Sequence, residues 1–258
     1  AKVRKQFLEG ASARGVDARI AGEIFDLMEK FAGYGFNKSH AAAYALLAYH
    51  TAWLKVHCTV ELYAANMTVE LGDTDKLKVL LNDAKQFGVS FEPPDVNQGL
   101  YRFEPVDERT VRYGLGAIKG TGRSAIEAIV QAREQGGPFT SIFDFCARVD
   151  RARLNKRTVE ALIKAGAFDR LHPERAQLVA SIGLAFDFAD TQAAHADQGG
   201  LFDFGDSHAA SHAEPPLATA APWSIKERLT FEKAALGFYL SGHLFDQSAD
   251  EVRRFAKR

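Results

Sequence analysis

The chain has 258 residues, of which 47% are hydrophobic and 25% charged, and its formal net charge is −1. No apolar run reaches the roughly 20 residues that a bilayer crossing needs, which argues against a membrane-spanning protein. Nothing at the N-terminus resembles a signal or transit peptide. The two cysteines, Cys58 and Cys146, are isolated in helical, apolar contexts, which argues against a metal role and predicts reduced, buried thiols in a cytoplasmic protein.

Hydrophobic periodicity predicts a mainly α protein. The predicted helices lie in residues 2–31 (two, broken near 10–17), 39–57, 60–70, 76–86, from 114 to about 189 in several pieces, and from 224 onward. Tyr101–Phe103 and Thr110–Tyr113 alternate as a small β-hairpin should. Residues 190–222 are rich in Ala, Asp, His, Gly and Pro, and we expect a mostly disordered tether there.

Residues 33–40, Gly-Tyr-Gly-Phe-Asn-Lys-Ser-His, lead into a helix that is apolar nearly all round. We expect Ser39 to cap this helix and the helix to be buried. The helix N-terminus would then lie beside Asn37, Lys38 and His40, an arrangement suited to an anion such as phosphate. An ordinary capped core helix is the alternative.

The net charge conceals an asymmetry along the chain. Residues 112–175 hold twelve Lys or Arg against seven Asp or Glu, whereas residues 176–222 hold six acidic residues and no Lys or Arg. A basic block followed by an acidic segment indicates a polyanion-binding module beside a solvated linker. A merely soluble helical surface would give the same count for the basic block.

Two helix–turn–helix units lie in the basic block. The first has glycines that expose backbone N–H groups before a helix, flanked by cations, and its candidate DNA-binding residues are Lys119, Gly120, Thr121, Gly122 and Arg123. The second turns at residues 165–167, and its approach carries Arg151, Arg153, Lys156 and Arg157. Such turns suit DNA phosphates without reading sequence, although a tight structural turn also explains a lone Gly-x-Gly.

A short apolar motif stands inside the acidic tether. Gln198-Gly-Gly-Leu201-Phe202 places two large apolar residues where nothing local would bury them. Leu201 and Phe202 could fill an apolar pocket on a partner while the Gln198 amide fixes orientation. Alternatively, they fold back on neighbouring helices.

Several of these segments resemble one protein family, in the family's order and over essentially the whole chain. They are Phe7–Ala11, Ile24–Asp26, Phe31–Leu46, Thr51–Lys55, Glu92–Asn97, Tyr113–Gly120 and Leu236–His243. The family is the C-family of bacterial replicative polymerases, the DNA polymerase III alpha subunits. Ser241-Gly-His-Leu244 departs from the family in having Leu where the family usually carries Pro.

The resemblance implies a division of the chain into four parts. Residues 1–100 would be the C-terminal part of the fingers, 101–189 a tandem helix–hairpin–helix module, 190–222 the tether with a sliding-clamp-binding motif, and 223–258 a helical unit leading to the next domain. Tyr34, Asn37, Lys38, Ser39 and His40 would line the incoming dNTP. Gln198, Leu201 and Phe202 would dock on the beta sliding clamp.

The implied activity is DNA-directed DNA synthesis in chromosomal replication, with primer–template DNA, dNTP, the clamp and other holoenzyme subunits as partners. The chemistry would be a two-metal nucleotidyl transfer with magnesium held by palm carboxylates. No Asp-x-Asp on a predicted strand supplies those carboxylates, so we expect the chain alone to be inactive. The alternatives are a non-enzymatic DNA- and clamp-binding adaptor, a purely structural helical scaffold, and an error-prone paralogue of the family.

Overall fold

The fold is that of a computed structural model, which describes residues 2–32, 38–198, 213–247 and Val252. Within those residues it is mainly helical, as predicted. The α-helices are α1 Lys2–Ser12, α2 Ala18–Ala32, α3 Lys38–His57, α4 Thr59–Val69, α5 Thr74–Gln86, α6 Arg123–Gly136, α7 Ile142–Arg148, α8 Lys156–Lys164, α9 Arg175–Gln198 and α10 Ile225–Leu236. The strands are β1 Ser90–Glu92, β2 Glu104–Asp107 and β3 Thr110–Arg112, and 3-10 turns span Leu115–Ala117 and Leu244–Gln247.

The chain divides into two compact units, Ala1–His57 and Cys58–Arg258. In the first, α1 and α2 form an antiparallel pair joined by a turn at Gly15, whose φ is +76°. The pair is held by stacking of Phe7 on Phe25, with ring centroids 5.4 Å apart. The division after His57 differs from the predicted boundaries at residues 100, 189 and 222, which stay predictions.

Helix α3 differs from the expectation of a buried helix. It is apolar on all sides, yet none of its residues is buried, and Tyr49 and Val56 are 65% and 72% exposed. The sequence pattern correctly marks a helix that favours burial. Burial also requires a covering partner, which the described residues of this unit do not supply. The helix already includes Lys38, so Ser39 lies inside its first turn and is not the predicted N-cap.

The second unit contains a three-stranded sheet in the order β1-β3-β2. The antiparallel β2–β3 pair confirms the predicted hairpin, although its first strand is Glu104–Asp107 rather than residues 101–103. The parallel partner β1, with Phe91 opposite Val111, was not predicted. Parallel strands are joined by long connections, so the sequence contains no local turn motif from which their pairing could be predicted.

Aromatic side chains fill the core of the second unit. Phe145 makes edge-on contacts with both Phe139 and Phe168, each at 4.9 Å between ring centroids. Helices α7 and α8 pack on α9 around this cluster. Cys146 is buried here, as predicted, and its burial raises the pKa of the thiol to about 12. Cys58, by contrast, is partly exposed.

The predicted tether is more ordered at both ends than its composition indicated. Helix α9 runs to Gln198, beyond the predicted start of the tether at residue 190. Residues 213–223 have no regular secondary structure but are fixed to the same unit: the Ser141 hydroxyl donates to Glu214 at 2.6 Å, and the Ala218 N–H donates to Ser181 Oγ at 2.9 Å. Composition excludes neither a helix through the alanine-rich start of this segment nor irregular chain that docks on a neighbouring surface.

Helix α10 begins where it was predicted. Ser224 and Glu227 form a reciprocal capping box at its first turn. Its last residues belong to the core of the second unit, since Leu236 is fully buried and the Phe238 ring contacts that of Tyr113. Within the described residues, α10 is therefore part of the same body as the hairpins.

Candidate nucleic-acid interface

The first hairpin comprises the 3-10 turn Leu115–Ala117, the turn at residues 118–122 and α6. Gly120 has φ +86°, a conformation that L-residues other than glycine adopt only with strain. The space beside it is open, because a Cβ at Gly120 would meet only Ala161 Cβ, at 3.9 Å. Glycine is thus required at this position by the backbone angle rather than by crowding.

Helix α6 begins without a side-chain cap. Its N-cap is Gly122, whereas Asp73, Asn155 and Ser224 each accept a hydrogen bond from the first turn of their own helices. The N–H groups of a first helical turn have no intrahelical acceptor. At α6 the Ala125 N–H donates to the Gly122 carbonyl at 3.1 Å, whereas Gly122, Arg123 and Ser124 are exposed, and the positive end of the helix dipole at these residues suits an anionic oxygen.

The turn before α6 is held in place from three sides. The Thr121 hydroxyl lies 2.9 Å from the Leu115 carbonyl and 2.7 Å from that of Ile118. The Lys119 N–H donates to the Ala235 carbonyl of α10 at 2.8 Å. Thr158 Oγ1 of α8 lies 3.4 Å from the carbonyl of Gly120. Because the Lys119 amide is engaged with α10, the contribution of Lys119 to an anion site would come from its ammonium group.

Cations flank this turn on two sides. Arg123 is exposed, pairs with Glu127 at 2.8 Å and lies over the ring of Tyr101. The hydrogen bond and charge of Glu127 raise the pKa of the Arg123 guanidinium, which therefore stays cationic. An open cleft of about 480 Å³ adjoins the turn, with these lining residues: Lys119, Gly120, Asn155, Arg157, Glu160, Ala161, Lys164, Ala234 and Ala235. Three cations against one carboxylate make the cleft electropositive.

Three of the four cations predicted to bind DNA in the second hairpin are engaged with other groups. Arg151 binds Asp190 at 2.8 Å and lies 4.0 Å above the ring of Phe186, which Lys156 also approaches, at 5.6 Å. Arg153 pairs with Asp150 at 3.3 Å. Of the four cations before and at the start of α8, Arg157 is the one that shares the cleft with the first hairpin.

The second hairpin differs from the first at its turn. Gly166 has φ +87°, as a hairpin glycine should, but a Cβ there would collide with the guanidinium of Arg175. Arg175 is only 4% exposed and covers the backbone of the turn. This turn therefore does not present open N–H groups to a phosphate, and its role in the described structure is to pack against Arg175.

The predicted nucleotide-binding and clamp-binding residues are only partly described. Lys38, Ser39 and His40 share the first turn of α3, where the His40 ring lies 4.3 Å from that of Tyr44. Tyr34 and Asn37 lie outside the described residues. Gln198 is the last residue of α9, and its side chain is not described. Leu201 and Phe202 also lie outside the described residues.

Sequence reasoning missed Arg175, Glu232 and Ala235. In the sequence, the first two look like ordinary charges on a helix surface, and Ala235 contributes only a backbone carbonyl. Lys119 and Ala235 are far apart along the chain, so no motif spacing connects them. A buried pair of opposite charges has no local pattern that distinguishes it from an exposed pair.

The described residues contain neither a membrane-spanning helix nor a cluster of metal ligands. None of the described helices is long and apolar enough to cross a membrane. No group of three or more His, Cys, Asp or Glu side chains in the described part of the chain could hold a metal ion.

Comparison with known proteins identifies the family. A model described as a helix-hairpin-helix motif matches residues 88–178, which include both hairpins. DNA polymerase III subunit alpha of Neisseria meningitidis serogroup B is 53% identical over 99% of this chain and 22% of its own length. The subunits named alike in Escherichia coli K12 and Pseudomonas aeruginosa are 47% and 45% identical, over 99% and 100% of this chain and 22% and 23% of their own lengths. The chain thus belongs to the DNA polymerase III alpha subunit family, and it spans about a fifth of the length of these relatives.

Proposed function

We propose that this chain is the part of a bacterial replicative DNA polymerase that grips the primer–template duplex and carries the end of the fingers. The whole protein would catalyse DNA-directed DNA synthesis in chromosomal replication, in the cytoplasm, together with other holoenzyme subunits. The observation that carries the DNA-binding part is the uncapped, glycine-led start of α6, next to the electropositive cleft lined by Lys119 and Arg157.

Such a site would bind phosphate oxygens through backbone N–H groups and cations. Contacts of this kind are made to the DNA backbone and carry no base information, so binding would be independent of sequence. The rigid turn supports this role, because a fixed donor array loses little entropy when a phosphate binds. Of the two hairpins, the first would make the contact, since Arg175 covers the turn of the second.

The nucleotide-binding role rests on resemblance. Tyr34, Asn37, Lys38, Ser39 and His40 match the family's fingers segment. The position of the last three in the first turn of α3 is compatible with contact to a triphosphate. Lys38 and His40 would lie nearest the negative charge.

The clamp-binding role also rests on resemblance, in this case of Gln198, Leu201 and Phe202. The motif falls between the end of α9 and the anchored segment at residues 213–223. A partner pocket would bury Leu201 and Phe202, and the beta sliding clamp is the partner that the resemblance implies.

Magnesium would act in the whole enzyme. The described residues do not fit a two-metal site, since no cluster of three or more potential ligands is found among them. By the resemblance, the carboxylates that would hold the magnesium belong to the palm, outside this chain. The chain alone should bind DNA without extending a primer.

The test is duplex binding by the 258-residue chain, measured by fluorescence anisotropy with two labelled duplexes of unrelated sequence. Both should bind with equal affinity, and the affinity should fall steeply as salt rises. Absence of binding at about 50 mM salt, where phosphate contacts are strongest, would refute the DNA-binding role.

A further inference from the structure

A buried ion-pair cluster of Asp169, Arg175 and Glu232 lies beneath the second hairpin. Arg175 donates to both carboxylate oxygens of Asp169, at 2.7 and 2.6 Å, and to the Lys164 carbonyl at the end of α8, at 2.9 Å. The nitrogen that donates to the Lys164 carbonyl, Nη1, also lies 3.6 Å from Glu232 Oε2. The side chains of Arg175 and Glu232 are only 4% and 2% exposed, whereas that of Asp169 is 29% exposed, and the cluster ties α8, α9 and α10 together.

Glu232 continues the cluster into the turn after α10. Its carboxylate accepts hydrogen bonds from the Leu240 N–H at 2.6 Å, the Ser241 N–H at 2.8 Å and the Ser241 hydroxyl at 2.7 Å. A buried carboxylate is tolerated only when it is paired and hydrogen-bonded in this way. Removing the charge of Glu232 would take one of the two carboxylates from the buried Arg175 guanidinium. It would also weaken the hydrogen bonds to the turn at Leu240 and Ser241.

The C-terminal end of α10 lies against the phosphate-facing turn of the first hairpin. Ala235, three residues after Glu232, accepts the hydrogen bond from the Lys119 N–H. Gly237 ends the helix with φ +88°, and a Cβ there would overlap the Thr74 side chain and lie 3.3 Å from Lys119 Nζ. Little room is left for α10 to shift without moving Lys119.

We propose that Glu232 and Arg175 are positioning residues for DNA binding, holding α10 where Ala235 fixes the turn at residues 118–122. This inference rests on the proposed DNA-binding function of the first hairpin. The two hairpins would then have different roles. The first would contact the phosphate, and the second would hold α10, which in turn positions the turn of the first. A purely structural cluster would contribute to stability alone.

The experiment compares Glu232→Gln with Ser224→Ala in the 258-residue chain. Ser224→Ala removes the N-cap of the same helix and leaves the cluster and Lys119 untouched. It therefore controls for simple weakening of α10. Hydrogen exchange of the Lys119 amide reports the contact with Ala235, and anisotropy at about 50 and 200 mM salt reports phosphate contacts.

We expect Glu232→Gln to speed exchange of the Lys119 amide by about tenfold, the equivalent of one hydrogen bond, while the Ile129 amide in the core of α6 keeps its protection. Duplex affinity should fall, and the ratio of affinities at the two salt concentrations should shrink by about 3.5-fold for one lost phosphate contact. Ser224→Ala should change neither. If Glu232→Gln does not fold, Ser241→Ala removes one hydrogen bond to Glu232 without changing charge and should produce a smaller change in the same direction.

Two results separate the hypotheses. If a folded Glu232→Gln or Ser241→Ala variant keeps wild-type Lys119 exchange and duplex affinity, the positioning role is overturned and the cluster is structural only. If the unaltered chain binds no duplex, the proposed function itself fails, whatever the Lys119 exchange shows.

Discussion

Replacing Lys119 and Arg123 together with alanine removes the two cations that flank the glycine turn of the first hairpin. Lys119 has no carboxylate partner among the described residues, so its charge is available to a phosphate. Arg123 pairs with Glu127, but both side chains are more than half exposed, at 73% and 53%. An ion pair this exposed contributes little to stability, so exchanging it for a phosphate contact costs little and the double variant should stay folded.

The magnitude follows from counterion release. Each phosphate contact contributes about 0.9 to the slope of log affinity against log salt, or about a 3.5-fold loss of affinity between about 50 and 200 mM salt. Two contacts together account for about a 12-fold loss over that range. The double variant should therefore bind more weakly at low salt. The ratio of its affinities at about 50 and 200 mM salt should be about 12-fold smaller than the same ratio for the unaltered chain.

The assay is anisotropy of a labelled primer–template duplex, with circular dichroism as the check on folding. Lys78→Ala/Lys85→Ala is the matched control, because both lysines are exposed on α5 and their loss changes the net charge equally. This control should keep the salt slope of the unaltered chain. If the slope of log affinity against log salt is equal for the two double variants, Lys119 and Arg123 are not specific phosphate contacts. The loss of affinity would then reflect overall charge.

Three further predictions concern other parts of the chain. Gly120→Ala should lower the free energy of unfolding by about 1 to 3 kcal/mol, because φ is +86° there. Gly122→Ala, at φ −81°, should cost less than about 1 kcal/mol, and denaturant unfolding compares the two. In the full-length polymerase, Lys38→Ala should raise the KM for nucleotide or lower kcat without unfolding α3; unchanged steady-state incorporation in this variant and in His40→Ala would contradict the pocket assignment. A peptide spanning residues 196–205 should bind the cognate clamp at roughly micromolar strength, and calorimetry should show Leu201→Ala and Phe202→Ala each weakening it by about 1 to 3 kcal/mol, whereas no detectable heat would leave the motif without a docking role.

Local sequence determined the helices and their ends wherever the relevant interactions span a few residues. The caps at Asp73 and Ser224 and the turn at Gly120 follow from side-chain reach and backbone angle, which depend on immediate neighbours. The same holds for the β2–β3 hairpin, whose strands are joined by a short turn. The first hairpin could therefore be recognised as a candidate phosphate site before any tertiary contact was known.

Tertiary structure alone decided which of two similar glycine turns is open. Gly120 and Gly166 have nearly the same φ, +86° and +87°, and both precede a helix in a basic segment. Arg175 folds over Gly166, while Ala235 holds Lys119 from outside the hairpin and leaves Gly120 uncovered. These contacts join residues whose separation along the chain carries no periodicity, because packing between helices depends on faces brought together by the whole fold. The sequence thus determined where a phosphate-binding turn could form, and tertiary packing decided which turn remains accessible.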